Sequence, residues 1–600
     1  MSLFYKPKII KIKKSKLKYK CFSQIINDYS SCLDKYIFDF FNISEAGYKL
    51  IIKKNIELEN DDGFKIQVCD DEIIIYSKTE AGAYYGCLQL KELFEQTNFE
   101  FEVEDKPDLK IRGVMIDISR SKVPKLDTLK QMVKMFSKLR YNHLQLYVEG
   151  FSFEYKSFPN VLNEKNYITL DEYLELEKYA NEHYMDFVPN QNGFGHMADW
   201  LEKEEYKYLA ECPEGFYIWG SHRAPTTLDP TNNDSIELVK KMYKDMLPYV
   251  KSNYFNMNFD EPYELGHGKS KKIAEETSIE DVYIEYFNKL ANEVKTYGKI
   301  PMLWGDVIIH KPEKINKLPQ DAVFIDWGYD KDYPFEKHAE ILSKQNIRFM
   351  LAPGTSTWST ITSRILDMEQ TILNSTSNAK KYSADGVLIT DWGDIGHLQY
   401  LPVSYLGFIL GGLNSWTKAS LDDAINYLKY YLGDDALCEA ILELGKYHLL
   451  EGEYRSYGSR LFNAILWAEH SRNQENPIEF YKSRMFSNII DDKNIELIKI
   501  SFEKAEKLLL KSKEGLIKDE ITNSLYLLNC LVSINEKLSK LQNNLLIDFD
   551  DEISKLEQYL IEHKRLWLMR NIEYGYVKSA NRIKWLIEIL TKLARKGNLC

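Results

Sequence analysis

Short apolar runs alternate with amphipathic helical segments from residue 111 to about residue 418, and this pattern constrains the fold more than any other feature. The connecting segments include LDTLKQMVKMFSKL, LDEYLELEKYANEHY and SIELVKKMYKDML, whose apolar residues recur at helical spacing. Eight runs joined by such connections match the strand count of a (β/α)8 barrel, and about 300 residues is within the usual barrel length. The predicted strands are Ile111–Asp117, His143–Glu149, Met185–Asn190, Tyr254–Phe259, Ile300–Gly305, Val323–Trp327, Ile347–Ala352 and Gly386–Asp391.

An open, doubly wound α/β sheet is the alternative that would show a similar alternation. Such a sheet commonly carries a GxGxxG or GxxxxGK[ST] phosphate loop after one of its strands. Neither pattern occurs in the sequence where such a sheet would need it. We therefore predict a TIM barrel and assign it to residues 107–418.

The segments on either side of the barrel have different patterns. Residues 1–106 combine the short strands IIKI, FKIQV and EIIIYS with the helical stretch EAGAYYGCLQLKELFEQ, which predicts a small α+β domain. In residues 419–600 Gly and Pro are sparse, and LDDAINYLKYYL, SRLFNAILWAEH and ANRIKWLIEILTKLARK have helical spacing. This predicts an all-helical domain rather than a coiled coil, because apolar residues are not sustained at positions a and d.

Composition excludes several classes of function. Hydrophobic residues make up 44% and charged residues 28% of the 600 residues, which is typical of a soluble globular protein and not of disordered or collagen-like chains. Lys plus Arg is 78 and Asp plus Glu is 90, so the net charge of 78 − 90 = −12 argues against nucleic acid as a partner. No apolar run approaches the roughly 20 residues of a membrane span, so we expect no membrane partner.

The N-terminal segment and the cysteines indicate in which cellular compartment the protein acts. The basic start MSLFYKPKIIKIKKSKLKYK has no apolar stretch behind it, so we expect it not to be a secretory signal. The eight cysteines contain no CxxC pair and have no His at zinc spacing, so we expect neither a disulfide framework nor a structural metal. We expect a reducing cytoplasm and no cofactor. The cysteines are Cys21, Cys32, Cys69, Cys87, Cys212, Cys438, Cys530 and Cys600.

Carboxylates and tryptophans follow the predicted strands, at the rim where a barrel places its chemistry. Aromatic residues make up 13% of the chain, and several of its 10 Trp lie at strand ends. Flat indole faces beside carboxylates suit a pyranose, which has apolar C–H faces and a belt of hydroxyls. The candidate site residues are Arg120, Glu149, His196, Asp260, Glu261, Trp304, Trp327, Tyr329, Trp358, Trp392 and Asp394.

The pair Asp260-Glu261 is the sharpest of these features. An Asp-Glu dipeptide is commonly part of a solvated loop, but this one ends an apolar strand and precedes Pro262. Conventional glycosidases place two carboxylates about 5–9.5 Å apart on opposite sides of the scissile bond, which adjacent residues can hardly do. The pair would suit a substrate that supplies its own nucleophile, such as a 2-acetamido oxygen. One carboxylate would hold that group and the other would act as acid and base.

Four segments in order resemble the glycoside hydrolase family 20 β-N-acetylhexosaminidases over roughly residues 107–418: RGVMIDISR, PNQNGFGH, NMNFDEP and TDWGD. With the two flanking domains, the chain resembles the compact three-domain bacterial branch of that family. The resemblance implies a retaining exo-β-N-acetylhexosaminidase that releases terminal β-linked GlcNAc or GalNAc through an oxazolinium intermediate. It also implies a homodimer formed through the C-terminal helical domain.

The same resemblance implies a role for each matching residue. Glu261 would protonate the leaving oxygen and then activate water, and Asp260 would orient the acetamido group and stabilise the oxazolinium. Arg120 would hold hydroxyls of the terminal sugar through its guanidinium fork. His196 would hydrogen-bond near the catalytic glutamate. Trp304, Trp327 and Trp392 would form walls of the acetamide pocket. Asp394 would accept a hydrogen bond from a peripheral hydroxyl of the sugar.

The sequence departs from the family pattern at three places. Asn256 and Asn258 stand where the family has His and Gly, and Thr355 stands where the family has the tyrosine that donates to the acetamide oxygen. Tyr329 or Trp358 would then supply that donor. The second-strand carboxylate is shifted, with Glu149 as its stand-in.

Two other functions therefore stay open. One is a carbohydrate-binding or structural protein on an inactive barrel. The other is a barrel glycosidase that uses two distant carboxylates and also cleaves plain β-glucosides. The D-x-D-x-E pattern of family 18 chitinases is absent from NMNFDE, which argues against an endo-chitinase.

Overall fold

The computed structural model describes residues 3–162, 166–219 and 221–597. An N-terminal six-stranded mixed sheet comes first, with strand order β1-β6-β4-β5-β3-β2. Helix α2 packs on β4 and β5, and α1 packs on α2. The Thr79 side chain caps α2 by accepting the Gly82 N–H at 3.2 Å. The elements are β1 Ile9–Lys16, β2 Phe22–Asn27, α1 Ser31–Phe40, β3 Tyr48–Lys54, β4 Phe64–Cys69, β5 Glu72–Ser77, α2 Glu80–Gln96 and β6 Phe99–Asp105.

Eight parallel strands then form a closed barrel, which confirms the predicted fold class. The sheet runs β12-β13-β14-β15-β16-β7-β8-β9. It closes where the Asn256 N–H donates to the Pro189 carbonyl at 3.0 Å and the Gln191 N–H donates to the Asn256 carbonyl at 3.0 Å. The barrel strands are β7 Ile111–Asp117, β8 His143–Tyr147, β9 Asp186–Val188, β12 Tyr254–Asn256, β13 Ile300–Trp304, β14 Val323–Trp327, β15 Arg348–Ala352 and β16 Gly386–Asp391, and a small hairpin is formed by β10 Phe216–Ile218 and β11 Ser221–Arg223.

Several predicted strand ends were wrong, because the chain leaves the sheet earlier than its apolar run ends. β12 stops at Asn256, and Asn258 and Phe259 take φ values of +61° and +73°, which is incompatible with an extended strand. β8, β9 and β13 also end before the predicted residue, and β15 begins one residue late. The residues beyond these ends form the rim loops that carry the candidate site.

Side chains fill the barrel interior, so the barrel is a packed core with its chemistry at the rim. Met115, Met302, Ile325, Met350 and Leu388 are fully buried there. The outer ring consists of α3 Leu126–Lys138, α4 Leu170–Glu182, α5 Ala198–Leu201, α6 Asn233–Met246, α7 Lys271–Glu276, α8 Ile279–Thr296, α9 Phe335–Lys344, α10 Ile365–Lys381 and α11 Tyr405–Trp416.

The C-terminal part is helical and has its own hydrophobic core. In the described residues no helix combines the length and apolarity needed to cross a bilayer. The seven described cysteines are unpaired, and Cys600 lies outside the described residues. The helices are α12 Leu421–Leu432, α13 Asp435–Leu444, α14 Asn463–Ser471, α15 Pro477–Phe486, α16 Asp492–Leu509, α17 Leu516–Gln542, α18 Asp550–Arg570 and α19 Gly575–Gly597.

Candidate active site

A cleft of about 560 Å³ opens at the carboxyl ends of the barrel strands. Ten of the eleven residues predicted as a site from the sequence line it, and Glu149 does not. Four further lining residues were not predicted: Trp219, Tyr263, Ser359 and Tyr457. Trp219 comes from the longest connection between predicted strands, where rim insertions commonly carry specificity. Tyr457 comes from the helical domain, and no local pattern marks it.

The backbone after β12 presents both members of the acidic pair to this cleft. Phe259 and Glu261 adopt left-handed φ values of +73° and +49°, which L residues rarely take. Gly195, in the loop after β9, lies against this turn, and a Cβ there would come within 2.2 Å of the Asp260 carbonyl oxygen. Such strain persists only where the surroundings enforce it, and it concentrates at functional sites.

His196 lies among three carboxylates. Its Nε2 is 3.2 Å from Asp260 Oδ2 and 3.3 Å from Glu261 Oε2, and its Nδ1 is 3.6 Å from Glu149 Oε2. Burial alone would lower the pKa of His196, but the charge of Asp260, the contacts with Asp260 and Glu261, and the charge of Glu149 raise it well above its usual value. These neighbours therefore favour the protonated, imidazolium form of the ring.

Asp260 is held in its ionised form. Burial raises its pKa, but the charges of His196 and Arg120 outweigh burial and bring the pKa below the usual value. Its Oδ1 also accepts a hydrogen bond from Asn192 Nδ2 at 2.8 Å. A carboxylate that stays charged inside an aromatic cleft is suited to stabilise positive charge that develops on a bound substrate.

Arg120 and Glu149 form an ion pair beside the cleft. The Arg120 guanidinium is 3.4 Å from Glu149 Oε2 and 3.3 Å from Asp117 Oδ2. It also lies over the rings of Tyr147 and Trp392, at 4.8 and 5.2 Å from their centroids. Glu149 therefore joins Arg120 to His196 from behind the cleft wall, and the structure does not place it on the predicted sugar-binding surface.

The inner cleft is a box of aromatic side chains. Trp304, Trp358 and Trp392 are 1%, 2% and 7% exposed, so their rings are almost enclosed. Trp327 stacks on Tyr329 with ring centroids 5.3 Å apart, and Tyr329 meets Trp358 edge to face at 4.9 Å. A small apolar group such as a methyl would be desolvated in this box, next to the ionised Asp260.

Comparison with known proteins identifies the sequence family of the barrel. The sequence model described as glycosyl hydrolase family 20, catalytic domain, matches residues 110–392. The barrel of this chain belongs to glycosyl hydrolase family 20.

Individual relatives agree with the family 20 assignment. The chain is 25% identical over 292 residues to a lacto-N-biosidase of Bifidobacterium bifidum, covering 46% of this chain and 25% of that protein. It is 24% identical over 306 residues to β-hexosaminidase 1 of Coccidioides posadasii, and this match covers 46% of this chain and 51% of that protein. The chain thus spans a quarter and about half of these relatives' lengths.

One solved structure shares the fold over nearly the whole chain. The chitobiase of Flavobacterium johnsoniae has a TM-score of 0.58 and 14% sequence identity, and the match covers 97% of this chain and 98% of that one. The similarity in fold therefore extends beyond the family 20 barrel to the flanking domains.

The two asparagines that depart from the family 20 pattern belong to a closed amide network below the acidic pair. Gln145 Oε1 accepts hydrogen bonds from Asn256 Nδ2 at 2.9 Å and from Asn190 Nδ2 at 3.0 Å. Asn258 Nδ2 donates to Asn190 Oδ1 at 2.6 Å. Asn258 Oδ1 accepts the Trp304 indole N–H at 2.9 Å. The substitutions thus form a hydrogen-bonded support for the turn and for one wall of the box.

A tyrosine hydroxyl lies in the box even though Thr355 replaces the tyrosine of the family 20 pattern. Thr355 donates its hydroxyl to Asp391 Oδ1 at 2.5 Å and is buried away from the cleft. The Tyr329 hydroxyl accepts the Trp392 indole N–H at 2.7 Å. Because indole N–H only donates, that bond does not use the hydroxyl's own proton. Both predicted substitutes, Tyr329 and Trp358, line the cleft, and their rings meet edge to face.

Two carboxyls near the site titrate above their usual range. Burial, opposed by Arg120, raises the pKa of Asp394 to about 6. Burial and the charges of Asp260 and Glu261 raise the pKa of Asp306 to about 7. Asp306 Oδ2 accepts the Glu261 backbone N–H at 3.1 Å, so it positions the acidic pair. Asp306 directly follows the predicted strand Ile300–Gly305, and its place two residues after Trp304 is the signal that could have identified it.

No set of three or more His, Cys, Asp or Glu side chains within the described ranges is arranged to hold a metal ion.

Proposed function

We propose that this protein is a retaining exo-β-N-acetylhexosaminidase that removes terminal β-linked GlcNAc or GalNAc by substrate-assisted catalysis. The observation that carries the proposal is the position of Asp260-Glu261, two adjacent carboxylates at the edge of an enclosed aromatic box. The family 20 barrel and the Coccidioides relative named β-hexosaminidase support it.

In the first step the acetamido carbonyl oxygen attacks C1 of the bound sugar. The bond from C1 to the leaving oxygen breaks, and Glu261 gives its proton to that oxygen. The sugar becomes a positively charged oxazolinium. The N–H of the oxazolinium points at the Asp260 carboxylate, which stabilises the positive charge. The Tyr329 hydroxyl donates to the acetamide oxygen and orients it for attack.

In the second step water attacks C1 from the face that the leaving group vacated. Glu261, now a carboxylate, takes the proton of that water, and the bond from C1 to the acetamide oxygen breaks. The acetamide is restored and Glu261 regains its proton. Two inversions at C1 give a product with the original β configuration.

The geometry also weighs against the two alternatives. Adjacent residues at one turn do not flank a glycosidic bond, which disfavours a conventional two-carboxylate mechanism in this cleft. The inactive-barrel alternative depended on Asn256 and Asn258, whose amides are hydrogen-bonded in a network that supports the acidic turn. Both observations support an active, acetamide-dependent enzyme.

The test is hydrolysis of an aryl N-acetyl-β-glucosaminide followed by NMR, with the β-anomer expected as first product. Glu261→Gln should abolish turnover of substrates with poor leaving groups, because it removes the proton donor. Glu285→Gln, an exposed carboxylate on α8, is the matched control and should be unaffected. A wild-type protein that binds the sugar without hydrolysing it, or that cleaves plain β-glucosides equally well, contradicts the proposal.

We also propose that the protein acts in the cytoplasm as a homodimer paired through its helical domain, on glycans rather than nucleic acids or membranes. Exposed apolar side chains on α16, α18 and α19 support the pairing surface, among them Ile500, Ile561 and Val577. Light scattering that gives a particle of the monomer mass, 70.4 kDa, would contradict the dimer.

A further inference from the structure

A buried lysine lies behind the cleft wall, in the loop between β7 and α3. Lys122 is 9% exposed, stands two residues after Arg120 and is not among the residues that line the cleft. Its ammonium donates to the Gln399 carbonyl at 2.5 Å and forms no ion pair with any carboxylate of the described residues. Burial lowers its pKa to about 7, against the opposing charges of Asp391 and Glu520. A cation buried without a counter-charge costs free energy, so packing alone does not account for this lysine.

The helical domain supplies the surface on which the Lys122 ammonium packs. Its Nζ lies 5.4 Å from the centroid of the Trp567 ring, and Trp567, on α18, is 1% exposed. The indole N–H of Trp567 donates to the Ile572 carbonyl at 2.8 Å, which fixes the plane of the ring. An indole face attracts a cation more strongly when both are removed from water. A residue of the barrel rim therefore depends on the helical domain for its surroundings.

The segment between α18 and α19 also holds the backbone of this loop. The Ile572 N–H donates to the Val123 carbonyl at 2.9 Å, on one side of the buried lysine. On the other side, a Cβ at Gly575 would come within 1.7 Å of the Ser121 carbonyl oxygen, so the close approach depends on glycine. Ser121 itself has a φ of +73°, a conformation that persists only where the surroundings enforce it. The loop that carries Arg120 is therefore fixed against the helical domain.

One side chain connects the Lys122 ammonium to the wall of the aromatic box. Gln399 follows β16 and is 3% exposed. Its carbonyl accepts the ammonium, and its side-chain N–H donates to the Trp392 carbonyl at 2.8 Å. On the cleft side, the Arg120 guanidinium lies 5.2 Å from the centroid of the Trp392 ring. Arg120 and Trp392 come from different loops, and Lys122 joins these loops behind the cleft.

We propose that Lys122 is a positioning residue whose ammonium, packed on the helical domain, holds Arg120 and Trp392 in the relative placement that binds the terminal sugar. The inference rests on the proposed hydrolase function and gives the helical domain a part in it. Arg120 and Trp392 would contact the sugar in the ground state and in the transition state alike. Loss of contacts that are equal in both states raises KM and leaves kcat nearly unchanged.

Lys122→Met tests the proposal, because methionine keeps an unbranched apolar side chain and removes the ammonium. The KM of an aryl N-acetyl-β-glucosaminide and the inhibition constant of N-acetylglucosamine thiazoline should each rise about tenfold, with kcat within about threefold of wild type. The urea midpoint should stay at or above the wild-type value, because an unpaired buried charge has been removed. Lys122→Arg restores a cationic donor and should bring KM back to within about threefold of wild type. A cavity of about 30 Å³ beside Lys122 leaves room for the larger guanidinium.

Lys125→Met is the matched control. Lys125 lies in the same loop, and its Nζ donates to the Leu568 carbonyl of α18 at 2.5 Å, but it is exposed and does not contact Gln399. Its KM and its inhibition constant should equal those of wild type. A general loosening of the contact between the domains would affect both variants, whereas positioning through Gln399 affects Lys122→Met alone.

The possible outcomes separate the two proposals. If the wild type neither hydrolyses the aryl substrate nor binds the thiazoline, the proposed function is wrong and the positioning role loses its basis. If the wild type is active but Lys122→Met keeps KM and the inhibition constant within about twofold, the positioning role is wrong while the function stands. The role is also wrong if Lys122→Met lowers the urea midpoint and kcat together, as a purely structural residue would, or if Lys125→Met raises KM equally.

Discussion

Replacing Asp260 by asparagine tests the charge on which the substrate-assisted mechanism depends. Asparagine keeps the size of the side chain and can still accept the hydrogen bond from Asn192 Nδ2 through its amide oxygen. It removes the negative charge that lies 3.2 Å from His196 Nε2. The oxazolinium would then form beside a neutral amide and an imidazolium.

The size of the effect follows from Coulomb's law. Two unit charges about 4 Å apart interact by ~4 kcal/mol at an effective dielectric constant of about 20, the value that suits protein sites. At 1.36 kcal/mol for each factor of ten, the loss corresponds to roughly a 10³-fold fall in kcat. Because the charge develops on the substrate only as the bond breaks, KM should change much less than kcat.

The assay is steady-state hydrolysis of an aryl N-acetyl-β-glucosaminide by wild type and Asp260→Asn, with circular dichroism to verify folding. Asp321→Asn, at an exposed carboxylate that pairs with Lys295, is the matched control and should keep wild-type kcat. A folded Asp260→Asn variant whose kcat stays within tenfold of wild type would refute the assigned role, since the charge would then contribute little to the transition state.

Two further predictions concern the groups around the acidic pair. Tyr329→Phe removes one hydrogen bond to a partly charged oxygen, so kcat/KM should fall by about tenfold or more at ~1.5–3 kcal/mol, and an unchanged value would assign the acetamide contact to another residue. The folded-state pKa of Asp306, about 7, exceeds the unfolded value of about 3.9, so the folded protein retains a proton that the unfolded chain releases. The contribution of Asp306 to stability is therefore full below about pH 4 and is lost as the pH rises through about 7. Urea unfolding at pH 5 and pH 8 should show a smaller fall in stability for Asp306→Asn than for wild type, and an identical fall would contradict the raised pKa.

Local patterns in the sequence predicted the barrel well, because the spacing of apolar residues in each strand and helix reflects which of its faces is buried. The runs at β7, β14 and β16 match the observed strands residue for residue. The predicted strands at β8, β9 and β12 extend beyond the observed strand ends, because apolar residues continue after the backbone has turned out of the sheet. At β12 the left-handed residue Phe259 is as apolar as the strand before it, so hydropathy alone gives no sign of the turn.

The support of the site was less accessible to sequence reasoning than its reactive residues. From the sequence, Asn256 and Asn258 are departures that put the site in doubt, whereas the structure shows them hydrogen-bonded to Gln145 of β8 and to Asn190 just after β9. An amide that lacks a partner and one that is fully bonded look the same in a sequence. Only the closure of the barrel brings these side chains within reach of each other.

The sequence by itself determined the alternating architecture, the acidic pair at the end of the fourth strand and the tryptophans at later strand ends. These features follow from residue type and spacing, which are local properties. Tertiary structure alone decided that the pKa of His196 is raised and that of Asp260 lowered, because both shifts depend on charges brought together from separate loops. It also decided that a tyrosine from the helical domain stands at the cleft mouth, because docking of that domain on the barrel joins residues distant in the chain.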